Sequence, residues 1–383
     1  MNRSIRSEVL HSATLRLPPR TLLAATSWLH PDRGPVSCPA GPLIAARARH
    51  AGFATATGTL SAPTSTEEPA AAAATLFTIS YEQPDGGYAG LALAASGDDT
   101  AAMSYARQEI AAWRSALRTR RVLYVADTSV SDPTEVMEPA LPQQSRHRSR
   151  DAWQVCGCRT GTTCAAADNA ARTLRLFLAR GDEVVMVGQP AFDIGAQPGT
   201  PLHQGRTRIT TTQHAETVTV TDPNRLAFVV SPGTAVSDAA GIIKVLRRRF
   251  PRLRGQHPCE WCYTADDLRV AVASVLAQTD VLLITGTGPS PAARTAVSEA
   301  ARADVRIRDV TSLERLRPQD LDAATIAVVD AAADGHVGRA VSQALAGLGP
   351  AGHILRCVQS RPVAGAVSSD ARLRPWAWPS APF

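Results

Sequence analysis

The chemistry this sequence offers first lies in its cysteines. There are seven, an odd number, and the N-terminus lacks the apolar stretch of a signal peptide, so the expected uses are metal ligation, catalysis or burial rather than a disulfide scaffold. Three of them share a local setting. Cys38 lies in Asp32-Arg-Gly-Pro-Val-Ser-Cys-Pro-Ala-Gly41, after an expected strand at 21–25 and before an expected helix at 42–50. Cys164 ends Gly161-Thr-Thr-Cys164 and directly precedes a helical pattern over 165–180. Cys262 closes Cys259-Glu-Trp-Cys262, just before a helical pattern over 266–278. The peptide dipoles at a helix start stabilise a thiolate, the form that ligates metals. Three such loops, well apart in the chain, can converge on one central group.

A single cysteine is more often a small buried hydrophobe, and three at equivalent positions weaken that reading. Tetrahedral zinc is the competing metal, since Cys259 and Cys262 have zinc-knuckle spacing, whereas Cys156 and Cys158 are too close to serve one ion well. Cys357 reads as incidental.

Short apolar runs at 121–126, 182–188, 226–230, 280–285 and 325–329 each end in a Gly, Pro, Ser or Asp cluster, as buried parallel strands do. Helical patterns alternate with them at 103–117, 165–180, 235–250, 266–278, 292–303 and 337–345. This alternation predicts α/β architecture with largely parallel sheets, whose functional crevices lie beyond the carboxyl ends of the strands. The Pro/Thr/Ala stretch 61–74 and the polar stretch 132–150 read as loops or inserts, and the tail 372–383, with Trp376 and Trp378, as an extended surface segment. The expected divisions are an extension at 1–20, α/β units at 21–150, 151–258 and 259–348, and a tail at 349–383.

At 383 residues there is room for two or three cores, and a hydrophobic fraction of 44% is that of a soluble globular protein. No apolar run reaches the roughly 18 residues of a membrane span, which predicts a cytoplasmic protein without a membrane partner. The net charge of +6 comes almost wholly from arginine, Lys244 being the only lysine. The one dense basic cluster, Arg247-Arg-Arg249 with Arg252 and Arg254, closes an expected helix, where cations complement the carbonyl end, so no nucleic-acid partner is predicted.

These segments resemble the LytB/IspH family, the 4-hydroxy-3-methylbut-2-enyl diphosphate reductases. Thr163-Cys164, followed after nineteen residues by Val184-Val-Met-Val-Gly188, is similar to the family's Thr-Cys-Pro segment with its helix and strand. Asp222-Pro-Asn-Arg-Leu-Ala-Phe-Val-Val230, then Asp238 and Arg248-Arg-Phe-Pro251, resembles the strand and helix before the family's third cysteine, and Cys262-Tyr263 stands at its Cys-Tyr. Arg33-Gly34 and Cys38-Pro-Ala-Gly41 resemble Arg-Gly-Phe-Cys-Ala-Gly with extra residues.

The resemblance implies three α/β domains in pseudo-threefold arrangement around a [4Fe–4S] cluster held by Cys38, Cys164 and Cys262. It also implies a small-molecule substrate, reductive dehydroxylation within isoprenoid biosynthesis, and an external ferredoxin- or flavodoxin-like electron donor. The family's substrate-binding and proton-delivering positions are changed here. Asp127 stands in place of a His, and Gln189-Pro-Ala-Phe-Asp-Ile194 in place of His-Pro-Glu, with Asp193 adjacent. Ser231-Pro-Gly233 replaces Gln-Thr-Thr, only Ser290 remains of Ser-Ser-Asn, and Asp334 stands at the last serine. A carboxylate repels a diphosphate, so a different, non-diphosphate substrate is expected. Asp127, Asp193, Asp334 and His336 are the candidate proton donors and Ser290 a candidate substrate contact. The alternatives are a non-redox or non-catalytic cluster-binding descendant, and a zinc protein.

Overall fold

A computed structural model describes residues 5–60, 73–127, 165–188, 207–286, 291–331 and 336–358. In chain order the elements are β1 (Arg6–Ser12), β2 (Thr21–His30), β3 (Gly34–Ser37), α1 (Gly41–His50), β4 (Ala54–Leu60), β5 (Ala74–Glu82), β6 (Tyr88–Ser96), α2 (Thr100–Arg114) and β7 (Arg120–Asp127). There follow α3 (Ala165–Ala179), β8 (Glu183–Val187), β9 (Arg208–Ile209), α4 (Thr212–Thr217), β10 (Leu226–Val230), α5 (Val236–Arg249) and β11 (Arg254–Gly255). The last are α6 (Thr264–Leu276), β12 (Val281–Thr285), α7 (Pro291–Arg302), β13 (Arg306–Val310), β14 (Thr325–Asp330), α8 (His336–Ala346) and β15 (Ala351–Val358). The architecture is mixed α/β, with two compact units, one drawn from Met1–Ser149 and Ala265–Gln359, the other from Arg150–Thr264 and Ser360–Phe383. No helix among the described residues is long and apolar enough to cross a membrane.

The first unit holds two sheets. In the five-stranded one, ordered β13-β12-β14-β7-β15, every pairing is parallel. Its central strands are apolar on both faces, which is why they read as continuous runs in the sequence. Leu123, Val125, Leu282, Ile284, Ala327 and Val329 pack against α6 and α7 on one face. On the other, Val122, Tyr124, Leu283, Ile326 and Val328 join α8, α1, α2 and the six-stranded sheet in one large core.

The six-stranded sheet, ordered β1-β5-β6-β3-β2-β4, corrects the expectation of largely parallel sheets. Its β1–β5, β5–β6, β6–β2 and β2–β3 pairings are antiparallel, and only β2–β4 and β3–β6 are parallel. Residues expected to form an N-terminal extension supply β1, which pairs with β5 along its whole length. The β5–β6 hairpin turns at Pro84-Asp-Gly-Gly87, where Gly86 has φ +84° and the Gly87 amide donates to Asp85 Oδ1. Patterning concealed this hairpin, because both strands are buried on both faces and β6 is largely Ala and Gly, with low strand propensity. Between α1 and α2, the buried Glu109 carboxylate accepts from Arg47 and from Trp113 Nε1 at 2.8 Å, while Arg47 also reaches the Leu316 carbonyl.

The second unit is a parallel four-stranded sheet, β11-β10-β8-β9, with α4 and α5 over one face and α3 over the other. Its clustered arginines, expected to complement the carbonyl end of their own helix, bind neighbouring elements instead. Arg249 donates to the Ala215 and Val218 carbonyls, Arg248 pairs with Glu216, and Arg254 pairs with the buried Asp182.

Candidate functional site

In the five-stranded sheet the two edges are set by short connections. Past the end of α6, the Gln278 side chain accepts from Arg121 at the start of β7, so the first turn of α6, which begins two residues after Cys262, lies at the opposite edge, where the strands end. That edge also carries Asp127 at the end of β7, Asp330 at the end of β14, and His336, exposed, at the start of α8. Two candidate acid positions, Asp127 and His336, are thus brought to one sheet edge. Asp193, Asp334, Ser290 and Cys164 lie outside the described residues, as do Cys156, Cys158 and the tail at 372–383.

Asp330 was not among the expected site residues. Its side chain is 4% exposed, accepts from Tyr124 Oη at 3.1 Å and Thr285 Oγ1 at 3.3 Å, and lies where a Cβ on Gly338 would meet its carboxyl group. It thereby ties three adjacent strands, β12, β14 and β7, to the first turn of α8. The available signal was an Asp closing an apolar run, a position that Asp127 also occupies.

In the second unit, the loop that leads to Cys262 is held by a 3-10 turn at Pro258–Glu260, capped by His257, which accepts from the Cys259 amide. The exposed Cys259 thiol sits 2.8 Å from His257 Nδ1, and partial burial, then the nearby Glu260 charge, push its pKa up. Cys262 is 4% exposed and follows Trp261, whose ring packs edge-on to Phe228 at 6.5 Å. Glu260 accepts from Arg172 at 3.1 Å and Thr173 at 3.0 Å. Both belong to α3, the helix that begins directly after Cys164, so one carboxylate clamps the Cys164 helix to the Cys262 loop. Spacing could not have indicated Glu260, which reads as an ordinary residue between two cysteines.

Beside this loop lie buried polar atoms with unmet capacity. Ser231 Oγ at the end of β10, Gln256 Nε2, Trp261 Nε1 and Asn169 Nδ2 have no hydrogen-bond partner among the described residues. The other end of the Gln256 amide accepts from the Val230 amide at 3.1 Å, which fixes it next to Ser231. Ser231 directly follows the carboxyl end of β10, the end of the strands at which open α/β sheets take ligands. Unmet donors of this kind suit a bound polar group.

Cys38 stands between β3 and α1, as its sequence setting predicts, but it is 2% exposed among Leu10, Ala25, Trp28, Val36, Leu60, Leu76, Ala92 and Ala94. Burial pushes its thiol pKa well above the ordinary value. The donor set is therefore uneven as a fit to an iron–sulfur cluster. Cys262, at a helix start beside polar groups with unmet capacity, suits a thiolate ligand; Cys38, in an apolar core, does not. Among the described residues no three His, Cys, Asp or Glu side chains are grouped as a metal site would require.

Comparison with known proteins bears on the same segments. Over 126 residues the chain is 31% identical to 4-hydroxy-3-methylbut-2-enyl diphosphate reductase 1 of Bradyrhizobium diazoefficiens, covering 32% of this chain and 39% of that one. Over 182 residues it is 26% identical to the corresponding reductase of Acidothermus cellulolyticus, covering 46% of this chain and 51% of that one. The chain thus spans about 39% to 51% of the length of these relatives. The E-1-hydroxy-2-methyl-but-2-enyl-4-diphosphate reductase structure from Plasmodium falciparum overlaps 57% of this chain and 66% of its own, at 15% identity and a TM-score of 0.43. The sequence profile described as LytB protein matches residues 142–341, more than half of the chain and the whole span from before Cys164 to beyond Cys262, and the chain belongs to that family.

Proposed function

We propose that this chain is an oxidoreductase of the LytB type that removes a hydroxyl group reductively from a small molecule, using a [4Fe–4S] cluster anchored by Cys164 and Cys262. The observation that carries the reading is the Glu260 clamp, which joins the Cys164 helix to the Cys262 loop within the family-matching span. The cluster would supply electron transfer and a Lewis-acidic iron. The reaction consumes two electrons and two protons for each hydroxyl released as water, the electrons coming from a ferredoxin- or flavodoxin-like donor.

The chain's own residues would hold substrate and move protons. Ser231 and Gln256, with unmet hydrogen-bonding capacity, favour a substrate that presents acceptors. Asp127 and His336 at the strand-end edge, with Asp193 and Asp334, are the proposed sources of protons, and Ser290 a proposed substrate contact. The relatives are named for a diphosphate substrate. Aspartates where the family has donors to that group support a different, non-diphosphate substrate here.

Anaerobic purification with iron and sulfide analysis tests the cluster, with about four irons per chain expected. A colourless chain holding zinc would overturn it. Assay with 4-hydroxy-3-methylbut-2-enyl diphosphate and a chemical reductant tests the substrate. Little or no turnover is expected, and turnover typical of an efficient enzyme would restore the family's ordinary reaction.

A further inference from the structure

Cys38 can be located relative to the strand-end edge, because both belong to the first unit. The residues after it, Pro39 and Ala40, pack directly on Gly347, where an added Cβ would come within 2.5 Å of the Ala40 amide nitrogen. Gly347 follows the C-terminus of α8 and leads into β15, so it lies at the edge where the parallel strands begin. Three further contacts mark that edge: the Arg120 amide donates to the Pro350 carbonyl, an added Cβ on Gly349 would meet the Arg118 backbone, and the Gly349 amide donates to Tyr81 Oη. Tyr81 in turn lies within electrostatic reach of both Cys38 and Arg120.

The strand-end edge with Asp127, Asp330 and the first turn of α6 is at the far side of the sheet. An eight-residue strand such as β7 separates the two edges by roughly 23 Å. The Cys38 side chain also lies on the outer face of the six-stranded sheet, in the core with Trp28, Ala92 and Ala94, whereas Leu91 and Leu93 on the other face join the core shared with the five-stranded sheet. One cluster cannot be ligated from both edges.

We infer that Cys38 is a core cysteine of an N-terminal module, residues 6–117, and that it ligates no cluster in this protein. The matched span begins at residue 142, beyond this module. The Cys38-Pro-Ala-Gly41 motif is explained by docking: the turn closed by the Gly41 amide on the Cys38 carbonyl at 2.9 Å seats Ala40 against Gly347.

The experiment has one arm that rests on the cluster reading and one that does not. Iron and sulfide content of anaerobically purified Cys38→Ala should equal wild type, while Cys262→Ala should lose most of its iron. Parallel loss of iron in a folded Cys38→Ala variant would overturn the inference. Alkylation of the native wild-type chain with iodoacetamide, read by mass spectrometry before and after iron removal by chelation under oxidation, needs no variant to fold. Cys38 should stay unmodified in both states. Its modification after iron removal alone would identify it as a ligand and overturn the inference. Absence of iron from wild type would sink the cluster reading and leave protection of Cys38 as the deciding result; a Cys38 thiol that reacts as readily in the native chain as in urea would then refute its core placement.

Discussion

The N-terminal module and the five-stranded parallel sheet share one large apolar core and place their polar groups differently. In the module, charged and polar side chains close upon each other: Glu109 holds Arg47 and Trp113, and His30 Nε2 meets Glu8 Oε2 at 2.6 Å while its Nδ1 accepts from the Asp32 amide. In the parallel sheet, the polar groups gather where the strands end, with Asp127, Asp330 and His336 on one edge. An internally closed network stabilises, whereas titratable positions at the carboxyl ends of parallel strands stand where open α/β sheets take ligands. The difference teaches that cysteines in similar local settings, Cys38 and Cys262, need not share a role.

That comparison can be broken most forcefully at Glu109. Glu109→Ala leaves a mostly buried guanidinium and an indole N–H without their acceptor and should cost about 3 kcal/mol, visible as a lower denaturant midpoint. At the strand-end edge, Asp330→Ala strands the Tyr124 and Thr285 hydroxyls and should cost about 2 kcal/mol, with Asp330→Asn recovering part of it. A larger loss at Asp330 than at Glu109 would reverse the assignment of the structural network to the module.

Smaller effects sharpen the same contrast. Tyr81→Phe removes the acceptor of the buried Gly349 amide and should cost about 1.5 kcal/mol at neutral pH. Burial pushes the Tyr81 phenol from 10.0 up to about 12, so ionisation occurs more readily in the unfolded chain. The neutral form's contribution is therefore complete below pH 10 and lost as pH rises toward about 12. Alkaline denaturation should be shallower in Tyr81→Phe than in wild type. A matching pair of pH profiles would show that this junction is open to solvent.

Asp99→Ala should have the smallest effect, about 1 kcal/mol, from losing the side-chain cap of α2. Backbone donors, Ala102 first and Arg20 second, hold the Asp99 carboxyl below its ordinary value. The stabilisation is present above the unfolded carboxylate's pKa and disappears as pH falls through the lower folded one. The difference between wild type and variant should accordingly narrow on acidification below about pH 4.

The parallel strands β8, β10, β12 and β14, and helices α3, α5, α6 and α7, were legible within a few residues, because burial on both faces writes a continuous apolar run and amphipathic helices repeat every three or four residues. The strands β5 and β6 were not. Small residues pack there by close backbone approach, as at Gly90, where any Cβ would overlap the Ile79 carbonyl, and this leaves no periodic signature. Asp330 and Glu260 escaped notice because their significance comes from partners distant in sequence, Tyr124 and Thr173 among them.

The sequence by itself determined the α/β character, the helix starts after Cys164 and Cys262, and membership in the LytB family, since all three rest on local patterns and spacing. Only the tertiary structure decided what each cysteine faces. A loop's local conformation follows from its own residues, as the turn at Cys38 does, but the surface on which it docks depends on a glycine some three hundred positions away, Gly347, that leaves room for it. Burial, and with it the chemistry open to a thiol, is a property of that docking.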